Sequence, residues 1–120
     1  MRRCLFAAVV AAVIAIWAGT APALAGIDDG YSLYRYCNAT IGAFVMYCFG
    51  YVDSVVNDMR IFGSVDGFGA CLPPDFGDNR RRDVIVAFLE RHPRDRGDGA
   101  TKLIAQAFSE AFPCSVELSN

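Results

Sequence analysis

IGAFVMYCFGYVDSVVNDM, residues 41–59, is the stretch whose reading decides the fold. Ile41, Phe44, Val45, Cys48, Val52, Val55, Val56 and Met59 fall 3, 4, 7, 11, 14, 15 and 18 positions after the first of them. That is the period of one helix face, sustained for about five turns. Aromatic and β-branched residues also suit a strand, but strict alternation fails at Val55 and Val56, so the segment is predicted as a long helix with Thr40 at the capping position. Gly63, Gly67 and Gly69 then end the helix, and an exposed, mobile loop is expected over 63–70.

Working outward, Asp28 or Asp29 can cap a short helix carrying Tyr31, Leu33, Tyr34 and Tyr36. Beyond the loop, Cys71-Leu72-Pro73-Pro74 is rigid and extended. Asp78 stands where it would cap a helix over 79–91, whose broad apolar face is Val84, Ile85, Phe88 and Leu89 and which Pro93 closes. Asp98 would cap a last helix with Ala100, Leu103, Ile104, Ala107, Phe108 and Ala111 at helical spacing, ended by Pro113. Four helices, short connections, no strand-like alternation and no repeat predict an all-α fold, a small helical bundle or orthogonal array.

The first 25 residues read as a secretory signal peptide, with basic Arg2 and Arg3, an apolar run from Leu5 to Trp17, and Ala23-Leu24-Ala25 as an A-x-A cleavage site. The run is shorter than the roughly 20 residues of a membrane span. Mature protein is expected to begin at Gly26, outside the cytoplasm, as one domain over 26–120 with no membrane attachment. Cys4 precedes the apolar core, so nothing supports a lipid anchor. Loss of the two arginines takes the formal net charge from −2 to −4, which gives no encouragement to nucleic-acid binding.

A core of this size alone gives slender stability, and staples are expected. The mature chain keeps Cys37, Cys48, Cys71 and Cys114, an even set that an oxidising compartment converts to two disulfides. If the last two helices form an antiparallel hairpin, Cys71 before the first is a neighbour of Cys114 after the second. Cys37 and Cys48 meet likewise if the chain reverses around 38–42. Geometry favours those pairs, while Cys48 with Cys71 stays open.

No residue set announces catalysis. A cysteine nucleophile with His92 as base needs a reduced thiolate, and His92 beside Pro93 reads more simply as a cation at helix-terminal carbonyls. No metal-ligand spacing and no cofactor motif is present. Asp53, Asp58, Asp66, Asp75 and Asp78 read as solvated surface, and so does the run Arg80-Arg81-Arg82, although its place at a helix start leaves room for a partner. Arg96-Gly97-Asp98 and Asn38-Ala39-Thr40 match short adhesion and glycosylation tripeptides by coincidence. The glycine-rich loop is the better binding element, able to project Asp66 and Phe68.

Cys48-Phe49-Gly50-Tyr51-Val52, then Cys71-Leu72-Pro73, then Phe88-Leu89 with His92-Pro93, then Ala107 to Phe112 with Pro113-Cys114, resemble the Rap/Tai immunity proteins of type VI secretion over roughly 33–114. The resemblance implies a periplasmic, helical, often homodimeric, non-enzymatic protein that binds a peptidoglycan amidase effector and occludes its active site. Two departures stand out: Asp53 replaces a usual glycine, and a second proline, Pro74, and Phe76 follow Pro73. The competing class is a small periplasmic acid-stress chaperone, which would expose its apolar faces at low pH. A hydrolase is third, for want of a base and an orienting group.

Overall fold

A computed structural model describes residues 26–114 of the chain. The signal-peptide reading of 1–25 and the tail 115–120 lie outside the described residues. In order come α1 (Gly30–Cys37), α2 (Gly42–Phe62), β1 (Ser64–Val65), β2 (Phe68–Gly69), α3 (Asp78–Arg91), a 3₁₀ turn (Pro93–Asp95) and α4 (Ala100–Ala111). The four helices meet expectation, but the fold is not strictly all-α. The segment expected to be a loop is an antiparallel hairpin, with Ser64 paired to Gly69 and Val65 to Phe68.

The hairpin's cause is local. Asp66 and Gly67 both take positive φ, 50° and 83°, the conformation of a two-residue type I′ turn whose twist matches the flanking strands. Two-residue strands are too short to show alternation, so the period gave no sign of them. The Asp-Gly pair was the available signal.

The first cap is as expected: Asp29 accepts from Ser32 N at 2.8 Å, and Ser32 Oγ accepts from Asp29 N at 3.1 Å. The backbone bond from Ser32, then its hydroxyl, hold the Asp29 carboxyl below its ordinary range. The other three caps differ. Ile41, Gly77 and Gly99 occupy those positions with no side-chain bond, which leaves Thr40 before the helix start and Asp78 inside the first turn. Asp98 spends its carboxylate on Lys102 Nζ, 2.9 Å away.

The core joins all four helices through Leu33, Val52, Val56, Ile85, Phe88, Leu89, Leu103, Ile104 and Phe108, each at most 1 % exposed. Phe76 is buried too, edge-on to Phe108 and Phe112 at 5.1 and 4.9 Å. Its insertion after Pro74 therefore fills the space under α4. The predicted face of α2 is buried only from Cys48 onward, whereas Ile41 and Phe44 are 61 % and 44 % exposed.

Both favoured disulfides are present: Cys37–Cys48, with Cα atoms 5.1 Å apart, and Cys71–Cys114, at 4.9 Å. Cys48 with Cys71 is thereby excluded. The two differ in access, since Cys37 and Cys48 are 1 % and 0 % exposed while Cys71 and Cys114 face solvent. A mild dithiol reductant followed by alkylation should label Cys71 and Cys114 first under native conditions. Simultaneous labelling of all four would mean that the domain opens before either bond is reduced.

Candidate partner-binding surface

The residues singled out for partner binding sit on the hairpin, and the structure separates their roles. Asp66 is exposed at the turn, whereas Phe68 is half-buried and packs against the core. Phe68 thus anchors the hairpin to the body as well as showing an edge to solvent. The larger free apolar surface is one the sequence reading left out: Phe62, the last residue of α2, is 73 % exposed, and Ile61 63 %. Gly63, at φ 80°, ends α2 in the left-handed region and turns the chain into β1 immediately after Phe62. Ending the periodic pattern at Met59 hid both residues; counting on to Gly63 would have found them.

Within the arginine run, Arg80 is exposed and Arg82 half-buried, but Arg81 departs from the solvated reading. Arg81 is 8 % exposed, its Nη1 donates to Asp53 Oδ1 at 2.7 Å, and Asp78 Oδ1 lies 3.6 Å away. Its guanidinium also lies over the Phe76 ring, 5.5 Å from the centroid, with Nε left without a hydrogen-bond partner. Arg80 lies over Phe112 at 5.4 Å and Arg82 over Phe49 at 6.0 Å. Burial of an arginine demands a carboxylate, and Asp53 supplies it across the α2–α3 contact, which accounts for an acid at that departure from the pattern.

His92 differs from its sequence reading as well. Its backbone N–H caps α3 on Phe88 O at 3.0 Å, while its ring stacks on Phe88 with centroids 4.3 Å apart. Nδ1 stands 3.4 Å from Asp95 and Nε2 3.6 Å from Glu110. No thiolate accompanies it, because all four described cysteines are bonded in pairs. The Arg96-Gly97-Asp98 tripeptide is engaged internally: Arg96 Nε donates to Leu89 O at 3.0 Å and its guanidinium sits 4.6 Å over Tyr34. Among the described residues no group of three His, Cys, Asp or Glu side chains is placed to hold a metal, and no helix is long and apolar enough to cross a membrane.

This arrangement, a stapled helical body presenting a short rigid hairpin and an exposed phenylalanine, suits recognition by shape. A family model, that of the Rap1a immunity proteins, matches residues 29–114. The chain belongs to the Rap1a immunity protein family. The match runs from the Asp29 capping box of this family member to Cys114, and so takes in both disulfides and the hairpin. No curated protein and no solved structure matches the chain.

Proposed function

We propose that this Rap1a-family protein is exported to the periplasm and there binds a peptidoglycan amidase effector of type VI secretion, blocking the active site without doing chemistry itself. The observation that carries the reading is the family match over nearly all described residues. The inhibitory element is the hairpin with the end of α2: Phe62 as the apolar anchor, Asp66 as a rim charge, and Phe68 holding the turn in place. A turn fixed in type I′ geometry loses little conformational freedom on docking, which favours tight binding.

The test is periplasmic co-expression with a secreted amidase encoded beside the gene, scoring lysis, together with binding measured on the purified pair. Phe62→Ala should weaken binding by about 2 kcal/mol, roughly 30-fold, because a desolvated aromatic anchor outweighs a rim charge. Asp66→Ala should weaken it far less. Phe68→Ala should weaken binding and lower the folding stability, since that ring packs on the protein's own core. Full protection by all three variants would remove the hairpin from the inhibitory surface. Amino-terminal sequencing of the exported protein should begin at Gly26; a start at Met1 would reject export by a cleaved leader.

A further inference from the structure

Between the chain reversal after α1 and the outer side of α3 runs an open cleft of about 380 Å³, large enough for a small ligand. One bank is Asn38, Ala39 and Thr40. The Cys37–Cys48 bridge holds it from behind, and Asn38 N donates to Tyr34 O at 2.9 Å. The other bank is α3, from Arg82 to Glu90. Arg82, Val86 and Glu90 recur at every fourth position and so form one row along the helix, with half-buried Ala87 beside it. At a rise of about 1.5 Å per residue, the Arg82 and Glu90 positions lie roughly 12 Å apart along the helix axis. The row therefore carries a cation at one end, an anion at the other and a small apolar floor between them.

We propose that this cleft binds a short zwitterionic peptide, extended along α3 with its carboxylate on Arg82 and its ammonium on Glu90. The immunity reading uses none of these residues. Charge sets the class of ligand, because a simple anion drawn to Arg82 would also meet Glu90, and a simple cation drawn to Glu90 would meet Arg82. Spacing sets its length. An extended chain spans about 3.3–3.6 Å per residue, so three residues cover about 10 Å and an ion pair at each end makes up the rest. A single amino acid cannot reach both charges.

The side chains around the cleft suit that occupant. Tyr34 Oη donates to Glu90 Oε1 at 3.2 Å, which steadies the carboxylate and leaves its second oxygen for an ammonium. Arg82 lies over the Phe49 ring at 6.0 Å and meets Asp83 through one Nη at 3.5 Å, so the other donors of its fork have no partner among the described residues. On the facing bank, the side chains of Asn38 and Thr40 make no hydrogen bond among the described residues. Amide and hydroxyl each offer a donor and an acceptor, the pair that a peptide group needs. Val86 and Ala87 present methyl groups to the ligand, which favours small side chains.

Titration of protein exported from the full chain with trialanine, followed by amide-resolved NMR without any effector, tests the assignment. Saturable shifts are expected at Ala39, Thr40, Val86 and Ala87. N-acetylation or C-amidation of the peptide should each weaken binding about fivefold, the loss of one solvent-exposed ion pair. Dialanine, too short to span the row, should bind more weakly than trialanine. Glu90→Gln should remove the penalty for acetylation and keep that for amidation, while Arg82→Gln should do the reverse. The capped peptides test the parent protein directly, so the proposal can fail without any substitution. No saturable shift up to about 10 mM peptide, or equal affinity for free and capped peptides, would overturn it. Shifts confined to the hairpin over 64–69 would also overturn it and assign the peptide to the partner-binding surface. Because no effector is present, a failure here leaves the lysis assay of the immunity reading to stand or fall separately.

Discussion

Protein in which Cys71 and Cys114 are both replaced by serine is expected to lose about 4 kcal/mol of folding stability. The bridge spans 43 positions, and the loop-closure entropy it removes from the unfolded chain grows with the logarithm of that span. The same relation gives about 3 kcal/mol for Cys37–Cys48, which closes 11 positions. For a domain whose whole stability is about 5–15 kcal/mol, either loss is a large fraction. Both Cys71 and Cys114 are exposed, so serine there adds no cavity, and the loss reports the tether itself. Urea unfolding of the double variant against the parent measures it. A change under about 1 kcal/mol would show that the ends of the α3–α4 hairpin are already held, for instance by the bond from Cys71 N to Phe112 O, 2.9 Å, and that the tether is redundant.

That bridge also shows why so much of the fold was readable. Cys71 and Cys114 flank two helices whose apolar periods are clean, and an antiparallel hairpin leaves its two outer ends adjacent whatever the details of packing. A cap from Asp28 or Asp29 was legible for a similar reason, since an acid at a helix start needs no tertiary contact to form it, while the return bond of Ser32 appears only in the structure. The misses depend on information that periodicity does not carry. The hairpin over 64–69 rests on two residues at positive φ, and the caps at Gly77 and Gly99 are set by how the helices dock rather than by the nearest acid.

The binding surface was harder, because exposure is a property of the assembled body. Ile41 and Phe44 belong to the same periodic face as Val52 and Val56, yet α2 runs past the edge of the core and leaves them in solvent. Phe68 looked like a projecting loop residue, and it projects less than Phe62, which the pattern excluded. Arg81 looked like one of three solvated cations; only the fold brings Asp53 to within 2.7 Å of it. A charge pattern on one helix cannot announce the partner that another helix supplies.

Two glycines set in helices make the sharpest contrast, and their substitution by alanine should move stability in opposite directions. Gly30 opens α1 against the turn after α3: a Cβ there would lie 2.6 Å from Leu103 Cδ1, 2.7 Å from Arg96 Cα and 2.8 Å from Arg96 O. Leu103 can change rotamer, but the Arg96 backbone cannot step aside without moving the turn. Two bonds that hold α1 there, Gly30 N to Asp98 O and Tyr31 N to Arg96 O, both 3.1 Å, would stretch with it. Overpacking together with weakened backbone bonds puts the cost of Gly30→Ala at about 3 kcal/mol. Gly50→Ala meets open space instead and gains helix propensity, so the monomer should be stabilised by up to about 1 kcal/mol. Urea unfolding of the two variants against the parent measures both effects. If Gly30→Ala unfolds at the parent's midpoint, α1 does not sit as close to the Arg96 turn as the backbone bonds require. If Gly50→Ala is destabilised, some contact within the domain already uses the bare face of that helix.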